Sequence, residues 1–204
     1  MGFILRGGNH HDREGDNYEK AVTILSEIHD ATDHTSAIAS HHAELEELIA
    51  AAARVKAGVV ERDEFEMGER RKLNLGHTFA HAIEWEEHNR EQSMGEVNAG
   101  VHGISHGEAV AMGMIMAAEA SEYYYADDKS QPVAAQGIVK KLTEDFRRCG
   151  LPVECPYPIT ALAEAMKKDK KSENGIVHFI LIRAIGDVRI EDLPVDDVVS
   201  WISK

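Results

Sequence analysis

The stretch GEAVAMGMIMAAEASEYY, Gly107 to Tyr124, decides the fold class. It is apolar nearly all round, yet too short and too interrupted by Glu108, Glu119 and Glu122 to cross a bilayer, so it predicts a buried central helix. Such a helix needs neighbours on every side, and the flanking sequence supplies them. Tyr18 to His29 carries Val22, Ile24, Leu25 and Ile28, and roughly Ala37 to Val60 carries Leu45, Leu48, Ile49, Ala52 and Val55. Both runs have the three- and four-residue spacing of an amphipathic helix. Arg70 to Glu86 continues the pattern through Leu73, Phe79 and Ile83. Pro132 to Cys149 is helical and stops at Gly150-Leu151-Pro152, and Ile159 to Lys168 is a further short helix. Glu87 to Ser105, polar and aperiodic, predicts a long loop. Strand patterns appear only at Val177 to Ile182 and Asp187 to Ile190, around Ile185-Gly186, before a last helix from Val195 to Ile202. The expected architecture is mainly α, a multihelical domain with one small β-hairpin.

The chain has 204 residues, 43% of them apolar, enough for one sizeable core, and no internal linker divides it, so residues 1–204 read as one domain. Asp and Glu number 36 against 22 Lys and Arg, a net charge of −14. That balance argues against a general attraction to nucleic acid or to an anionic membrane, and any anionic ligand must be met by a local cluster of cations. Two cysteines, Cys149 and Cys155, build neither a disulfide framework nor a structural zinc site, and with no signal peptide the expected compartment is the cytoplasm. No Gly-x-Gly-x-x-Gly follows a strand and no Gly-Lys-Ser or Gly-Lys-Thr occurs, so a self-contained nucleotide-binding domain is not expected. The apolar stub Met1 to Leu5 reads as a cut edge.

The chemistry concentrates in RRKLNLGHTFAH, Arg70 to His81. Read as one helix, it aligns Arg70, Asn74, His77 and His81 along a single stripe that can address one ligand. His77 and His81 stand at i and i+4, a spacing that can share a metal, although the motif is not His-Glu-x-x-His; the plainer alternative is a solvated polar face. His106 stands at the mouth of the central helix, where a half-buried imidazole suits a metal ligand, or else serves as a helix cap. His77 and His106 together offer two neutral nitrogen ligands, whereas a catalytic zinc commonly takes three protein ligands, and spacing singles out no third. Lys167-Lys168-Asp169-Lys170-Lys171 either neutralises a phosphate or is a solvated helix end. Lys56, flanked by small and apolar residues, is expected to be only partly solvated, with Glu66 as a partner unless Glu66 belongs to a plain capping turn. The other histidines, among them His29, His41, His88 and His178, read as structural or incidental.

In order, Lys56-Ala57-Gly58-Val59-Val60, Asp63-Glu64-x-Glu66-x-Gly68-x-Arg70, Leu73 to Glu84 and His106-Gly107-Glu108-Ala109-Val110-Ala111-Met112-Gly113-Met114 resemble the C-terminal helical domain of the 3-dehydroquinate synthase family. Cys149-Gly150-Leu151-Pro152, Met166-x-x-Asp169-Lys170-Lys171 and Ile185-Gly186 agree with it. The resemblance implies an NAD- and divalent-metal-dependent cyclase, using zinc or cobalt, that converts 3-deoxy-D-arabino-heptulosonate 7-phosphate to 3-dehydroquinate and phosphate, usually as a homodimer. It implies His77 and His106 as metal ligands, His81 as the proton-transfer group, Glu66 as the acid acting with it, and Lys56, Arg70, Asn74 and Lys170 or Lys171 as substrate contacts. It also implies that the third ligand, a Glu, and the NAD-binding domain lie before this chain, which is then a fragment that binds metal weakly and does not turn over alone. Relative to the family, Ala80 replaces a usual Gly and the 87–105 segment is longer. A sister sugar-phosphate cyclase, a metal-dependent alcohol dehydrogenase, which needs no phosphate site, and a non-catalytic helical binding module are the alternatives.

Overall fold

The computed structural model describes residues 14–94, 103–126, 135–168 and 175–202. Along them run α1 (Glu14–Asp30), α2 (His34–Ser40), α3 (His42–Arg62), a 3₁₀ helix (Glu69–Asn74), α4 (His77–Met94), α5 (His106–Ala126), α6 (Ile138–Arg148), α7 (Ile159–Lys168), β1 (Ile176–Ala184), β2 (Asp187–Pro194) and α8 (Val195–Ile202). The architecture is mainly helical with one antiparallel hairpin, as the sequence predicts. Among these residues no helix is long and apolar enough to cross a membrane.

Helix α5 is the centre, buried without interruption from Ala109 to Ala118. Its small residues let neighbours come close, most of all α4. A Cβ built on Gly113 would strike Gly76 O and lie 3.1 Å from Ala80 N; one built on Gly76 would lie 2.8 Å from Met114 Cγ and 2.9 Å from Met114 N. The two backbones therefore meet directly, glycine to glycine. Around this crossing Leu75, Phe79, Ile83, Leu142, Leu162, Leu181, Ile182 and Val198 are fully buried, and Phe79 packs edge-to-face on Phe179 at 5.8 Å. Each such side chain contributes roughly 1.5–3 kcal/mol by leaving water.

A two-stranded sheet is not stable alone, and this one rests on α5. Strand β1 pairs β2 with Ile180 opposite Ile190. The Ile182 N–H, turned away from β2, donates to Ser121 Oγ at 2.8 Å, and the Ser121 hydroxyl in turn donates to Ala117 O at 2.6 Å. Next to it, Arg183 O accepts from Ala135 N–H at 2.7 Å. At the far side α1 is tied to α6: Tyr18 OH donates to Asp145 at 2.9 Å, and Lys141 Nζ lies 3.0 Å from Asp145 and 2.7 Å from Glu19. Burial, then the bonded Asp145 carboxylate, raises the Tyr18 phenol far above its ordinary value.

Four expectations are corrected. The Ala37–Val60 helix is two helices, α2 and α3, separated at His41, whose ring sits between Glu27 at 3.2 Å and Glu44 at 2.7 Å. Asp33 starts the first by accepting from Thr35 and Ser36 N–H. In α3 only Leu48 and Val59 are buried, and Ile49 faces solvent. The Glu87–Ser105 loop begins late: α4 runs to Met94, because Glu87 is buried and bonded to Arg90 and Tyr157, a tertiary anchor that polar composition hides. Helix α6 begins at Ile138 rather than Pro132; residues 131–134 lie outside the described residues.

Candidate functional site

The predicted stripe of Arg70, Asn74, His77 and His81 does not exist as one helix. The chain forms a 3₁₀ turn to Asn74, passes through Leu75, takes a left-handed conformation at Gly76 (φ +77°) and starts α4 at His77. The Gly76–Gly113 contact explains the break, since an α-helix cannot run through that conformation. His77 and His81 do share a face of α4, with ring centroids 5.7 Å apart, and His106 brings a third imidazole to 5.3 Å from His77.

His106 is the first residue of α5 rather than its cap. Ser105 is the cap: its backbone N–H and hydroxyl donate to Glu108 Oε2 at 2.8 and 2.6 Å, and Glu108 N–H donates back to Ser105 Oγ at 3.3 Å. This is a reciprocal capping box. The His106 side chain is 58% exposed, more open than predicted, and its Nδ1–H donates to Glu84 Oε1 at 2.7 Å. His77 Nδ1–H donates to Leu75 O at 3.2 Å. In both rings an oxygen acceptor fixes a hydrogen on Nδ1, the arrangement in which a histidine can bind a metal through Nε2 while its other nitrogen is held. Two imidazoles on neighbouring helix starts, each held in this way, suit a borderline divalent ion such as zinc or cobalt. Among the described residues no group of three His, Cys, Asp or Glu side chains is placed to hold a metal, so a metal on this pair would need a further ligand from elsewhere.

A second cluster of predicted site residues lies in the turn from Asp63 to Arg70. Asp63 accepts from three backbone N–H groups, Met67 at 2.8 Å, Gly68 at 2.8 Å and Arg70 at 2.9 Å. These bonds, that from Arg70 first, hold its carboxyl below the usual range. The wrapped turn puts Glu66 at φ +57°, a strained conformation for a residue with a side chain. Glu66 Oε1 accepts from Asn74 Nδ2 at 2.9 Å, and Arg71 Nε donates to Glu66 O at 3.1 Å. Arg71 Nη1 meets His178 Nε2 at 3.1 Å, and His178 is bonded to Asp192 across the hairpin, so the sheet braces the turn. Arg70 is engaged through Nη1 with Glu64 O at 2.7 Å.

Glu66 and Asn74 are thus brought together, as are His77, His81 and His106. Lys56 is corrected: it is exposed on α3, and the partner of Glu66 is Asn74. Lys170 and Lys171 lie outside the described residues. Sequence reasoning quoted Glu84 and Asp63 without giving either a role, read Glu87 only as the start of a loop, and passed over Tyr157. A carboxylate one or two turns along the histidine helix is a usable signal for Glu84. Nothing local links Glu87 to Tyr157, 70 residues away.

The multihelical fold is shared with two solved synthases, each described with NAD+ and a divalent metal. The fold is similar to a solved 2-deoxy-scyllo-inosose synthase complexed with carbaglucose-6-phosphate, NAD+ and Co2+, at TM-score 0.60 and 17% identity over 98% of this chain and 48% of that one. It is also similar to 2-epi-5-epi-valiolone synthase from Streptomyces hygroscopicus subsp. jinggangensis 5008 with NAD+ and Zn2+ bound, at TM-score 0.62 and 16% identity over 99% and 48%. More particularly, the chain belongs to the 3-dehydroquinate synthase C-terminal family, whose profile matches residues 20–172. Relatives include the 3-dehydroquinate synthases of Pyrococcus abyssi (strain GE5 / Orsay), 40% identical over 73% of this chain and 38% of theirs, and of Geobacillus thermodenitrificans (strain NG80-2), 36% identical over 74% and 36%. The chain spans less than two-fifths of the length of these curated relatives.

Proposed function

We propose that residues 1–204 are the helical metal- and substrate-binding domain of a cytoplasmic, homodimeric 3-dehydroquinate synthase. In this reading the substrate is 3-deoxy-D-arabino-heptulosonate 7-phosphate, the products are 3-dehydroquinate and phosphate, and the NAD-binding domain is a separate part. The observation that carries the reading is the placing of the His81 and His106 rings beside His77, with Nδ1 of His77 and of His106 each held by an acceptor. His77 and His106 hold a divalent cation, zinc or cobalt, with a third ligand from outside the described residues. A bound metal would supply polarisation of a substrate hydroxyl, and NAD on the separate domain would supply hydride uptake and return. His81, one turn beyond the proposed ligand His77, takes and returns a proton at the neighbouring substrate carbon. Glu66, held by Asn74, acts with His81. Arg70, Asn74 and Lys56 orient the substrate, and Lys170 or Lys171 meets its carboxylate or phosphate, so fixed cations let an acidic protein hold a doubly charged anion.

The test supplies the NAD-binding half of a relative as a separate chain and measures phosphate release from the heptulosonate phosphate. Activity is expected only with both halves, and His81→Ala is expected to remove roughly 10²–10⁴-fold of it, the usual share of general acid–base catalysis. Release that persists in His81→Ala overturns the role of that residue. The likeness to the inosose and valiolone synthases supports a second reading, a sister cyclase acting on another phosphorylated sugar. Turnover of such a sugar phosphate in preference to the heptulosonate would select it.

A further inference from the structure

Two carboxylates three residues apart on α4 meet the same returning segment. Glu84 accepts the Nδ1–H of His106. Glu87 is only 6% exposed, yet it is fully engaged: Arg90 Nε donates to it at 3.2 Å, Arg90 Nη2 and Tyr157 OH donate as well, and so does the backbone N–H of Ile104. A buried carboxylate stays ionised only where donors fill its lone pairs. Here Arg90 first, then Tyr157, hold Glu87 below the usual carboxylate range against the cost of burial. Burial and the neighbouring Glu87 push the Tyr157 phenol up to about 12, so it remains a donor.

The segment is gripped in its backbone as well. A Cβ on Gly103 would lie 2.6 Å from Glu91 Oε1 and 3.1 Å from Glu87 Oε1, so the chain runs directly over these carboxylates. Two residues on, the Ser105–Glu108 box starts α5. The backbone of His106 is therefore fixed from upstream by the Glu87 cluster and from downstream by the helix start. Ring orientation and tautomer are the freedoms that remain, and the bond to Glu84 removes both.

We propose that Glu84 and the Glu87–Arg90–Tyr157 cluster are positioning groups for metal binding, Glu84 setting the tautomer and direction of His106 and the cluster setting the place of its backbone. The proposal rests on the reading of His106 as a ligand. It adds a requirement that the pair of histidines does not contain: α4 must supply an acceptor for a ring that arrives from α5.

The experiment titrates the 204-residue protein with Co2+, following the visible absorption of the bound ion. In parallel it records metal-free long-range ¹H–¹⁵N spectra of the imidazoles in mildly alkaline buffer. Glu84 is partly exposed, so its variants are expected to keep the far-UV circular dichroism of the parent. Glu84→Ala is expected to weaken Co2+ binding roughly 10–100-fold and to turn His106 from one tautomer into a mixture. Glu84→Gln, whose amide oxygen still accepts, recovers the tautomer and most of the affinity. Tyr157→Phe is expected to weaken binding less and to speed amide exchange at Ile104 and Ser105. Glu84→Ala that binds within about twofold of the parent and keeps a single tautomer overturns the proposal, given effects of the expected size. The His106→Ala variant separates the two failures. If it loses Co2+ while Glu84→Ala does not, the ligand reading stands and the positioning role falls; if it binds as the parent does, both fall.

Discussion

At the scale of single residues, two glycines on α5 carry opposite expectations. Gly113 meets the backbone of Gly76, whereas an added Cβ at Gly107 meets nothing within 4 Å. Gly113→Ala should push α4 away from α5 and cost about 1–3 kcal/mol, the usual penalty for overpacking. Gly107→Ala should be neutral or stabilising by up to about 1 kcal/mol, because it only restricts the unfolded chain. Urea unfolding midpoints of the two variants check this, and equal losses would refute the account of the crossing. The same scale shows what could be read in advance. The clustering of His77, His81 and His106 was legible from the order of the motifs, whereas spacing alone left a solvated face and a helix cap open. The backbone break at Gly76 was not, since a left-handed residue leaves the periodicity of its flanks intact. The solvation of Lys56 was misread because apolar neighbours along a helix do not share its face.

Among the elements, the central helix, the hairpin, α7 and α8 lay close to where apolar patterning put them, for patterning reports burial and these elements are held by burial. Helix α4 outran its prediction by the length of a polar turn and more, because its second half is held by Glu87 rather than by a hydrophobic stripe. That difference has a pH signature. The carboxyl of Glu87 is held below its ordinary value of 4.5, so the stability it contributes is complete above that value and is lost as the pH falls through the depressed value below it. Glu87→Gln should be less stable than the parent at neutral pH and lose less on acidification. Unfolding midpoints at neutral pH and at about pH 3 measure it. An acid loss as steep in the variant as in the parent would remove Glu87 from the account. Asp63, depressed for a similar reason, continues to contribute to the slope in both proteins.

For the whole molecule, the proposed ligands His77 and His106 sit at the starts of two helices that meet at the glycine crossing, so an ion shared between them ties the centre of the fold together. Co2+ at about a hundred times its dissociation constant should therefore stabilise the protein by about 2.7 kcal/mol, read as a rise in Tm, and His77→Ala should erase that rise. A rise that survives the substitution would place the ion elsewhere. The hairpin bears on the behaviour of the protein in crowded solution. Exposed strand borders recruit strands from other chains, yet on β1 the Ile182 N–H is already taken by the Ser121 hydroxyl and the adjoining Arg183 carbonyl by Ala135. A foreign strand arriving there finds no vacant donor or acceptor at these two positions, so groups contributed from within the same chain close that part of the border to templated aggregation.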